Sequence, residues 1–345
     1  MLAEREAPLG APGAGEVLIR VEAAGVNFAD LMMRAGLYRT APPRPYSPGF
    51  EVAGQVIQAG PEVTEWHEGD RCVALLRHGG YAQHLVVPME QLFRYPEQLG
   101  PVEAAAIPVV FLTAWVCLLE AGHARAGETA LILGAGGGVG TALVQLARRS
   151  GLRVLGTAGD TRKRCFVTDA LGAEACFDSR GDWEDGVRQL VGERGIDVAL
   201  DPVGGRATAS CRRLLAPLGR LVFYGLSEAL PAARRQWLKA AWAWLRTPWV
   251  HPYSLIEPNL GLFGVHLLHL GSRERLLRPA LEEVFGAVAA GQLRPVVDRV
   301  FPFTRDGAVA AHYYLHARRN LGKVVLAHSI GGRPARPSGT LPVTG

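Results

Sequence analysis

The sequence predicts an α/β protein in which a doubly wound parallel sheet is joined to a second, β-rich domain. Two observations predict it: short strands separated by turns fill the first third of the chain, and strands alternate with helices from about residue 102 onward. The length agrees, because 345 residues suit one large domain or two ordinary ones, and a hydrophobic content of 48% can fill their cores.

The first third of the chain is predicted to be β-structure with few helices. Residues 15–26 alternate in polarity like a strand, and the proline-rich residues 37–50 are expected to form a loop. Further short strands, separated by turn residues, are expected at Glu51–Ala59, Arg71–Leu76 and Tyr81–Val87.

Strands and helices alternate through the middle of the chain. The predicted helices are Val102–Ala106, Leu112–Ala121, Thr141–Ser150, Arg164–Leu171 and Thr208–Leu215. The predicted strands are Thr129–Leu133, Arg153–Gly156, Asp197–Asp201 and Arg220–Tyr224. This alternation is typical of a parallel sheet with helices on both faces.

The last third begins with a tryptophan-rich segment, residues 228–262, that we expect to be a helical insertion. Four tryptophans among Lys and Arg fit a helix packed on a neighbouring domain or subunit, or an amphipathic helix on a membrane surface; the first is favoured. The remaining predicted elements are a helix at 274–290, a strand at Val296–Val300, a helix at Asp306–Arg318, a strand at Val324–Leu326 and a disordered tail at 328–345.

Composition excludes several classes of function. The net charge is +5, but the basic residues are scattered, so we expect no nucleic-acid partner. The five cysteines have no CxxC spacing and an odd count, which argues against a disulfide framework or a structural zinc lobe and favours a reducing compartment. With no signal-peptide core and no run of about 18 uncharged apolar residues, we expect a cytoplasmic protein without a spanning helix.

A glycine-rich turn, Gly134–Gly140, lies between a predicted strand and a predicted helix, and this context predicts a Rossmann-type nucleotide site. Gly137 and Gly138 let the backbone approach a pyrophosphate, and Val139 follows them. Gly140 lets the helix pack closely on the strand, while the helix N-terminus offers N–H groups to the phosphates. The alternative is a tight turn that holds no ligand.

The residues after the second strand favour NADPH over NADH. The predicted strand ends at Gly156 without the carboxylate that would hold the ribose of NAD. The basic residues Arg162, Lys163 and Arg164 follow and can pair with a 2′-phosphate. Two alternatives stay open: Asp160 is a ribose ligand if the strand ends later, and the basic trio is only a solvated helix start.

Several motifs together resemble one family. The matching segments are Asn27–Asp30, Arg34–Tyr38, Pro48–Glu51, Gly69–Arg71, Asp201–Gly205, Leu218–Gly225 and Gly322–Val325, in addition to the glycine loop. The chain resembles the medium-chain dehydrogenase/reductase superfamily over about residues 13 to 327, in its zinc-free quinone oxidoreductase branch. Within that branch it is most similar to the vesicle amine transport protein type.

The resemblance implies a GroES-like β-barrel catalytic domain at residues 1–105, completed by 292–327, and a Rossmann NADPH-binding domain at 106–291. It also implies a homodimer. Relatives carry about one more strand before Pro8, so we expect either that the start codon is misassigned or that the edge of the catalytic domain is incomplete. Zinc-dependent relatives have a cysteine near Asn27 and a histidine at the position of Phe50; since both are missing here, Glu51 alone cannot hold zinc, and we predict no metal.

The resemblance further implies hydride transfer from NADPH to a quinone or an α,β-unsaturated carbonyl. Asn27 and Tyr38 are the expected donors to the substrate oxygen, and Asp30 is expected to orient the loop that carries Asn27. The alternatives are that Asn27 and Asp30 only cap a loop, and that Tyr38 only packs.

The same resemblance assigns residues to the cofactor. Thr113 is expected near the nicotinamide carboxamide, and Tyr224 and Phe263 along the path of the cofactor. Lys323 is expected near the phosphates or at the domain cleft, or else as an exposed lysine that begins a strand.

Two other functions remain open. An enoyl-thioester reductase would use the same hydride geometry on an acyl chain. A membrane-associated NADPH-binding protein with little catalysis would use the tryptophan-rich segment, and weak membrane association would then accompany the fold.

Overall fold

The structure is a computed structural model that describes residues 2–38, 40–227, 250–270 and 274–328. Most of the predicted tryptophan-rich insertion, residues 228–249, and the predicted tail beyond residue 328 lie outside the described residues.

Most of the predicted strands are present, with shifted ends. The strands are β1 (Glu16–Val26), β2 (Glu51–Ala59), β3 (Arg71–Leu75), β4 (His84–Pro88), β5 (Leu92–Phe93), β6 (Thr129–Ile132), β7 (Arg153–Ala158), β8 (Ala175–Asp178), β9 (Ile196–Asp201), β10 (Leu215–Phe223), β11 (Gly261–Gly264), β12 (Val297–Pro302) and β13 (Lys323–Ala327). The short strands β5, β8 and β11 were not predicted, because two to four residues carry too little periodicity to be recognised.

The helices are α1 (Phe28–Ala35), α2 (Pro101–Ala104), α3 (Pro108–Trp115), α4 (Gly138–Arg149), α5 (Thr161–Cys165), α6 (Trp183–Val191), α7 (Gly205–Leu214), α8 (Tyr253–Ile256), α9 (Glu274–Ala289) and α10 (Arg305–His316). Helices α3 and α5 continue as π-helical turns, Val116–Ala121 and Phe166–Ala170. Helices α1 and α6 were not predicted. Helix α1 ends at Gly36, whose φ of 74° is the left-handed conformation that favours glycine at this position.

The described residues divide into two compact units. Unit 1 contains the chain up to Val110 and residues 274–328, and unit 2 runs from Phe111 to residue 270. Helix α9 therefore belongs to unit 1, whereas the sequence predicted that residues up to 291 belong to the nucleotide-binding domain. The physical reason is local: Arg278 on α9 donates hydrogen bonds to the carbonyl oxygens of Leu92, the first residue of β5, and of Glu90, two residues before it.

Unit 1 is built on a seven-stranded sheet in the order β12–β13–β1–β2–β3–β5, with β4 also paired to β1. Strand β1 runs antiparallel to β2, β4 and β13, and Ala23 pairs with both Ala53 and Ala327. Alternate residues of β1 point inward, so that Val17, Ile19 and Val21 lie in one buried hydrophobic cluster. Strands that are about 300 residues apart in the chain, β1 and β13, thus pair in one sheet.

Unit 2 is built on a six-stranded parallel sheet in the order β8–β7–β6–β9–β10–β11. Counted within this unit the order is 3-2-1-4-5-6, which is the order of a dinucleotide-binding Rossmann fold. Its core contains Leu131, Leu155 and Leu221 from three of its strands. The predicted α/β fold class is confirmed.

One helical stretch of the described residues, Pro101–Ala121, is long and apolar enough to cross a membrane by length and composition alone. Its mean hydropathy is 2.1, but 72% of its most apolar window is buried inside the protein. Burial of this kind is what the core helix of a folded domain shows.

Candidate functional site

The glycine loop of unit 2 connects β6 to α4, as predicted. Gly134 has a φ of +64°, and Gly137 is the N-cap of α4. A side chain at Gly140 would overlap the carbonyl oxygen of Gly134 and approach the Cα of Ala135 to 2.7 Å. Only glycine allows the first turn of α4 to lie this close to the loop, so its backbone N–H groups are held at the carboxyl edge of the sheet.

The residues after β7 are arranged differently from the prediction. Strand β7 continues to Ala158, two residues beyond the predicted end at Gly156, so that Asp160 follows the strand closely. However, Asp160 is the N-cap of α5, and its Oδ1 accepts the backbone N–H of Lys163 at 3.0 Å. One carboxylate oxygen of Asp160 is therefore already used in capping a helix.

The three predicted basic residues lie in different surroundings. Lys163 is buried, and its aliphatic carbons lie 3.0–3.2 Å from where a Cβ of Gly136 would be, so its stem covers the glycine loop. Arg164 forms an ion pair with Asp178 at 2.9 Å, at the end of β8. Arg162 is exposed in the first turn of α5. Lys163 is thus the member of the trio that contacts the predicted nucleotide loop.

Sequence reasoning missed another cation, Arg180. Its guanidinium lies 3.6–3.7 Å from the position of a Cβ at Gly159, the residue that follows β7. The backbone N–H of Arg180 donates to the Asp178 carboxylate, which holds the turn after β8. Recognising β8 as the neighbour of β7 would have found Arg180, because the carboxyl ends of adjacent parallel strands meet at one edge.

Three other predicted cofactor residues, Thr113, Tyr224 and Phe263, belong to unit 2. Thr113 is buried in α3. Tyr224 follows β10 directly, its N–H donates to the carbonyl of Asp201 at 3.2 Å, and burial raises the pKa of its phenol well above the usual value. Phe263 lies on β11, 39% exposed, with its ring edge-on to His123. Since β10 and β11 are parallel neighbours, Tyr224 lies just beyond the end of the strand that pairs with the strand of Phe263.

The predicted residues of unit 1 meet in a buried cluster of Asn27, Glu51 and Lys323. The Lys323 ammonium lies 2.5 Å from Glu51 Oε1 and donates to Asn27 Oδ1 at 2.5 Å. The Asn27 amide donates to Glu51 Oε1 at 2.9 Å, and Glu51 Oε2 accepts the N–H of Val109 at 2.7 Å. All three side chains are less than 10% exposed. Nearly every polar atom of the cluster is therefore used within it.

This cluster changes two expectations. The Asn27 amide, expected to donate to a substrate oxygen, donates instead to Glu51 and more weakly to the carbonyl of Gly25 at 3.5 Å. Lys323 is 3% exposed, which rules out the alternative that it is an exposed lysine at a strand start. Its ammonium neutralises Glu51, the one candidate zinc ligand that the sequence retained.

Tyr38 and Asp30 lie beside this cluster in unit 1. Tyr38 is half-buried, with its ring 5.8 Å from that of Phe50. Burial, followed by the charge of Asp30, raises the Tyr38 pKa to about 12. Asp30 is fully buried and accepts the N–H groups of Asn27 and Gly49 at 2.8 Å each, so it holds the backbone on both sides of the cluster. Burial raises the Asp30 pKa to about 7.

Phe50, at the position where zinc-dependent relatives are expected to carry a histidine, is 1% exposed. Among the described residues, no three His, Cys, Asp or Glu side chains are grouped so that they could hold a metal ion.

Comparisons with known proteins agree with this architecture. Residues 13–97 match the family described as "Alcohol dehydrogenase GroES-like domain", and residues 171–326 match "Zinc-binding dehydrogenase". The synaptic vesicle membrane protein VAT-1 homolog of Rattus norvegicus is 34% identical over 326 residues, which cover 94% of this chain and 80% of that protein.

Two solved structures are similar over nearly the whole chain. The quinone oxidoreductase of Thermus thermophilus, solved also in complex with NADPH, is 38% identical with a TM-score of 0.77, covering 94% of this chain and 95% of that one. The CurK enoyl reductase is 28% identical with a TM-score of 0.81, covering 94% of each chain.

Proposed function

This chain belongs to the medium-chain dehydrogenase/reductase superfamily and is an oxidoreductase, and on that premise we propose that it reduces quinones or α,β-unsaturated carbonyls with NADPH and without a metal. The proposal rests on two cations at the carboxyl edge of the unit 2 sheet. The side chain of Lys163 packs against Gly136, and the guanidinium of Arg180 lies beside Gly159.

The choice of NADPH follows from charge at that edge. A bound dinucleotide would have its pyrophosphate against the N–H groups of Gly137 and Gly138, at the start of α4. Lys163 and Arg180 would then supply positive charge for a 2′-phosphate. Asp160, the acid that could hold an unphosphorylated ribose, is tied to the Lys163 backbone N–H. The NADPH complex of the similar Thermus enzyme supports the same cofactor.

The choice of substrate follows from what unit 1 offers. The cofactor supplies a hydride, and the protein must hold the substrate so that its carbon atom accepts that hydride. With Phe50 in place of a histidine and Lys323 neutralising Glu51, we expect no Lewis acid to polarise a simple carbonyl. A conjugated carbonyl or a quinone accepts hydride without one. Tyr38, a half-buried phenol, is the residue that we propose to donate a proton to the substrate oxygen.

An enoyl-thioester reductase is the second candidate, because CurK enoyl reductase shares the fold over nearly the whole chain. A membrane-associated NADPH-binding protein is the third candidate, suggested by the name of the VAT-1 homolog. Its predicted membrane segment is the tryptophan-rich insertion at 228–262, of which residues 228–249 lie outside the described residues. We also propose a cytoplasmic homodimer. The five cysteines are free thiols, which suits a reducing compartment, and β11 is the last strand at one end of the described unit 2 sheet.

The experiment is a parallel titration of NADPH and NADH by tryptophan fluorescence, followed by turnover with phenanthrenequinone and with a crotonyl thioester. We expect tighter binding of NADPH and oxidation that depends on the quinone. Turnover of the thioester alone would replace the proposal by the second candidate. Binding without any turnover, combined with flotation on lipid vesicles, would favour the third.

A further inference from the structure

A second polar chain of unit 1 runs from Asp30 through Tyr81 to His312. The Tyr81 hydroxyl lies 3.4 Å from Asp30 Oδ2 and 3.1 Å from His312 Nε2. Asp30 and His312 are both 0% exposed, and the Tyr81 ring lies edge-on to the imidazole at 5.8 Å. Three titratable groups from α1, the loop before β4 and α10 thus form one row that is closed to solvent at both ends.

The row can hold its protons in two ways, because the Tyr81 hydroxyl has one hydrogen to donate. When Asp30 is ionised, Tyr81 donates to Asp30 Oδ2 and accepts from the Nε2–H of His312. When Asp30 carries a proton, it donates to the Tyr81 oxygen, and Tyr81 must donate to a bare His312 Nε2, whose hydrogen then resides on Nδ1. Gain of one proton by Asp30 therefore reverses both hydrogen bonds and changes the tautomer of His312.

The two ends of the row differ in their hydrogen-bond partners. Among the described residues, His312 Nδ1 has no hydrogen-bond partner. Since a buried nitrogen without a partner is unsatisfied both as a lone pair and as an N–H, the hydrogen bond at Nε2 decides which tautomer His312 adopts. Asp30 itself is held by the N–H groups of Asn27 and Gly49 in either form.

The charges around the row leave Asp30 as its only member that titrates near neutral pH. Burial raises the pKa of Asp30 to about 7, with Lys323 lowering it and Glu51 raising it. Burial, and then Arg34, lowers the pKa of His312 to about 3, so the imidazole is neutral. Burial and then Asp30 raise the Tyr81 pKa well above its usual value.

We propose that Tyr81 and His312 are positioning residues that couple the protonation of Asp30 to the tautomer of His312. The coupling passes through the Tyr81 hydroxyl, which lies between the Asp30 carboxylate and His312 Nε2.

The test is nitrogen NMR of the full-length protein labelled with ¹⁵N in histidine, with the His312 signals assigned by the His312→Gln variant. We expect the Nδ1 and Nε2 signals of His312 to exchange tautomer character between about pH 5.5 and 8.5, with one midpoint near the Asp30 pKa of about 7. A single tautomer over this range overturns the proposal, whatever the enzyme activity is.

Two variants extend the test. Tyr81→Phe removes only the hydroxyl, and we expect the His312 tautomer to stop responding to pH. Tyr314→Phe is the matched control. Tyr314 is a partly buried tyrosine of α10, the helix that carries His312, and its hydroxyl donates to Asp298. Loss of that hydroxyl should leave the pH midpoint of the His312 tautomer change unchanged. A titration of His312 that persists in Tyr81→Phe would contradict the relay.

Discussion

Lys323 Nζ lies 2.5 Å from Glu51 Oε1 in unit 1, and neither side chain is more than 3% exposed. An ion pair removed from water in this way is costly to form, but it is more costly to break, because the remaining charge has no partner. The pair also fixes Asn27, which hydrogen-bonds to both members.

Lys323→Met should therefore destabilise the protein by about 3–5 kcal/mol, measured as the change in free energy of unfolding in urea. The control is Arg20→Gln, which breaks the exposed pair of Arg20 with Glu22 at 3.8 Å and should cost less than about 1 kcal/mol. Equal effects of the two substitutions would mean that Glu51 is not isolated from water.

Lys163→Met and Arg180→Gln should each weaken NADPH binding while leaving NADH binding nearly unchanged. A charge-assisted hydrogen bond contributes about 1.5–3 kcal/mol, so each variant should raise the Kd for NADPH by roughly tenfold to a hundredfold. Fluorescence titration with both cofactors measures this. The exposed Arg188, which pairs with Glu184, serves as the control through Arg188→Gln. Parallel losses for NADH and NADPH would argue against a 2′-phosphate site.

Gly140→Ala should destabilise unit 2 and abolish nucleotide binding, because the added methyl group overlaps the Gly134 carbonyl. Overpacking of this kind costs roughly 1–3 kcal/mol. Gly286→Ala on α9 is the matched control, since a methyl group there contacts nothing within 4 Å. It should stabilise the helix by up to about 1 kcal/mol. Thermal unfolding with and without NADPH distinguishes the two.

Tyr38→Phe should lower kcat for quinone reduction by about a hundredfold or more, the usual contribution of a general acid, while the Kd for NADPH is unchanged. Tyr313→Phe, which alters an exposed tyrosine, should leave kcat unchanged. Single-turnover measurements would show whether the loss lies in the chemical step. Unchanged kcat in Tyr38→Phe would assign the proton to water.

Asp30 should make stability depend on pH. Its pKa is raised from 3.8 to about 7 in the folded state, so between these values the folded protein keeps a proton that the unfolded chain releases. Stability from this group is complete below about pH 4 and falls as the pH rises towards 7, by at most about 1.4 kcal/mol per pH unit.

Asp30→Asn should remove that slope, as measured by urea unfolding at several pH values between about 4 and 8. Asp306→Asn replaces an acid whose side chain is 89% exposed, and should preserve the slope of the wild type. The comparison cancels the contributions of all other groups, and identical slopes in the wild type and Asp30→Asn would show that Asp30 is ionised throughout.

Local patterns were enough to predict much of this fold. The strand, the glycine turn and the helix of the nucleotide site are adjacent in sequence, and Gly134 and Gly140 satisfy local requirements of the backbone. The end of β7 was misplaced by two residues, and its neighbour β8 was not recognised.

Long-range pairing accounts for what the sequence did not predict. The partner of Lys323 is 272 residues away in the chain, so its burial depends on the order of strands in the sheet and not on neighbouring residues. The hydrogen bond of Tyr81 to His312 spans 231 residues for the same reason. Arg180 was missed because its place beside Gly159 depends on the pairing of β7 with β8.

Strand β13 lies between β12 and β1 in the unit 1 sheet. During synthesis the chain emerges from its N-terminus, so β1 leaves the ribosome long before the strand that pairs with its final residues. The described residues of unit 2 lie between the two parts of unit 1 in the chain. Unit 2 can therefore fold before β13 has been synthesised and can pair with β1. Asn27 meets Lys323 only after translation has passed residue 323, so a prematurely terminated chain would bind nucleotide yet lack an ordered unit 1.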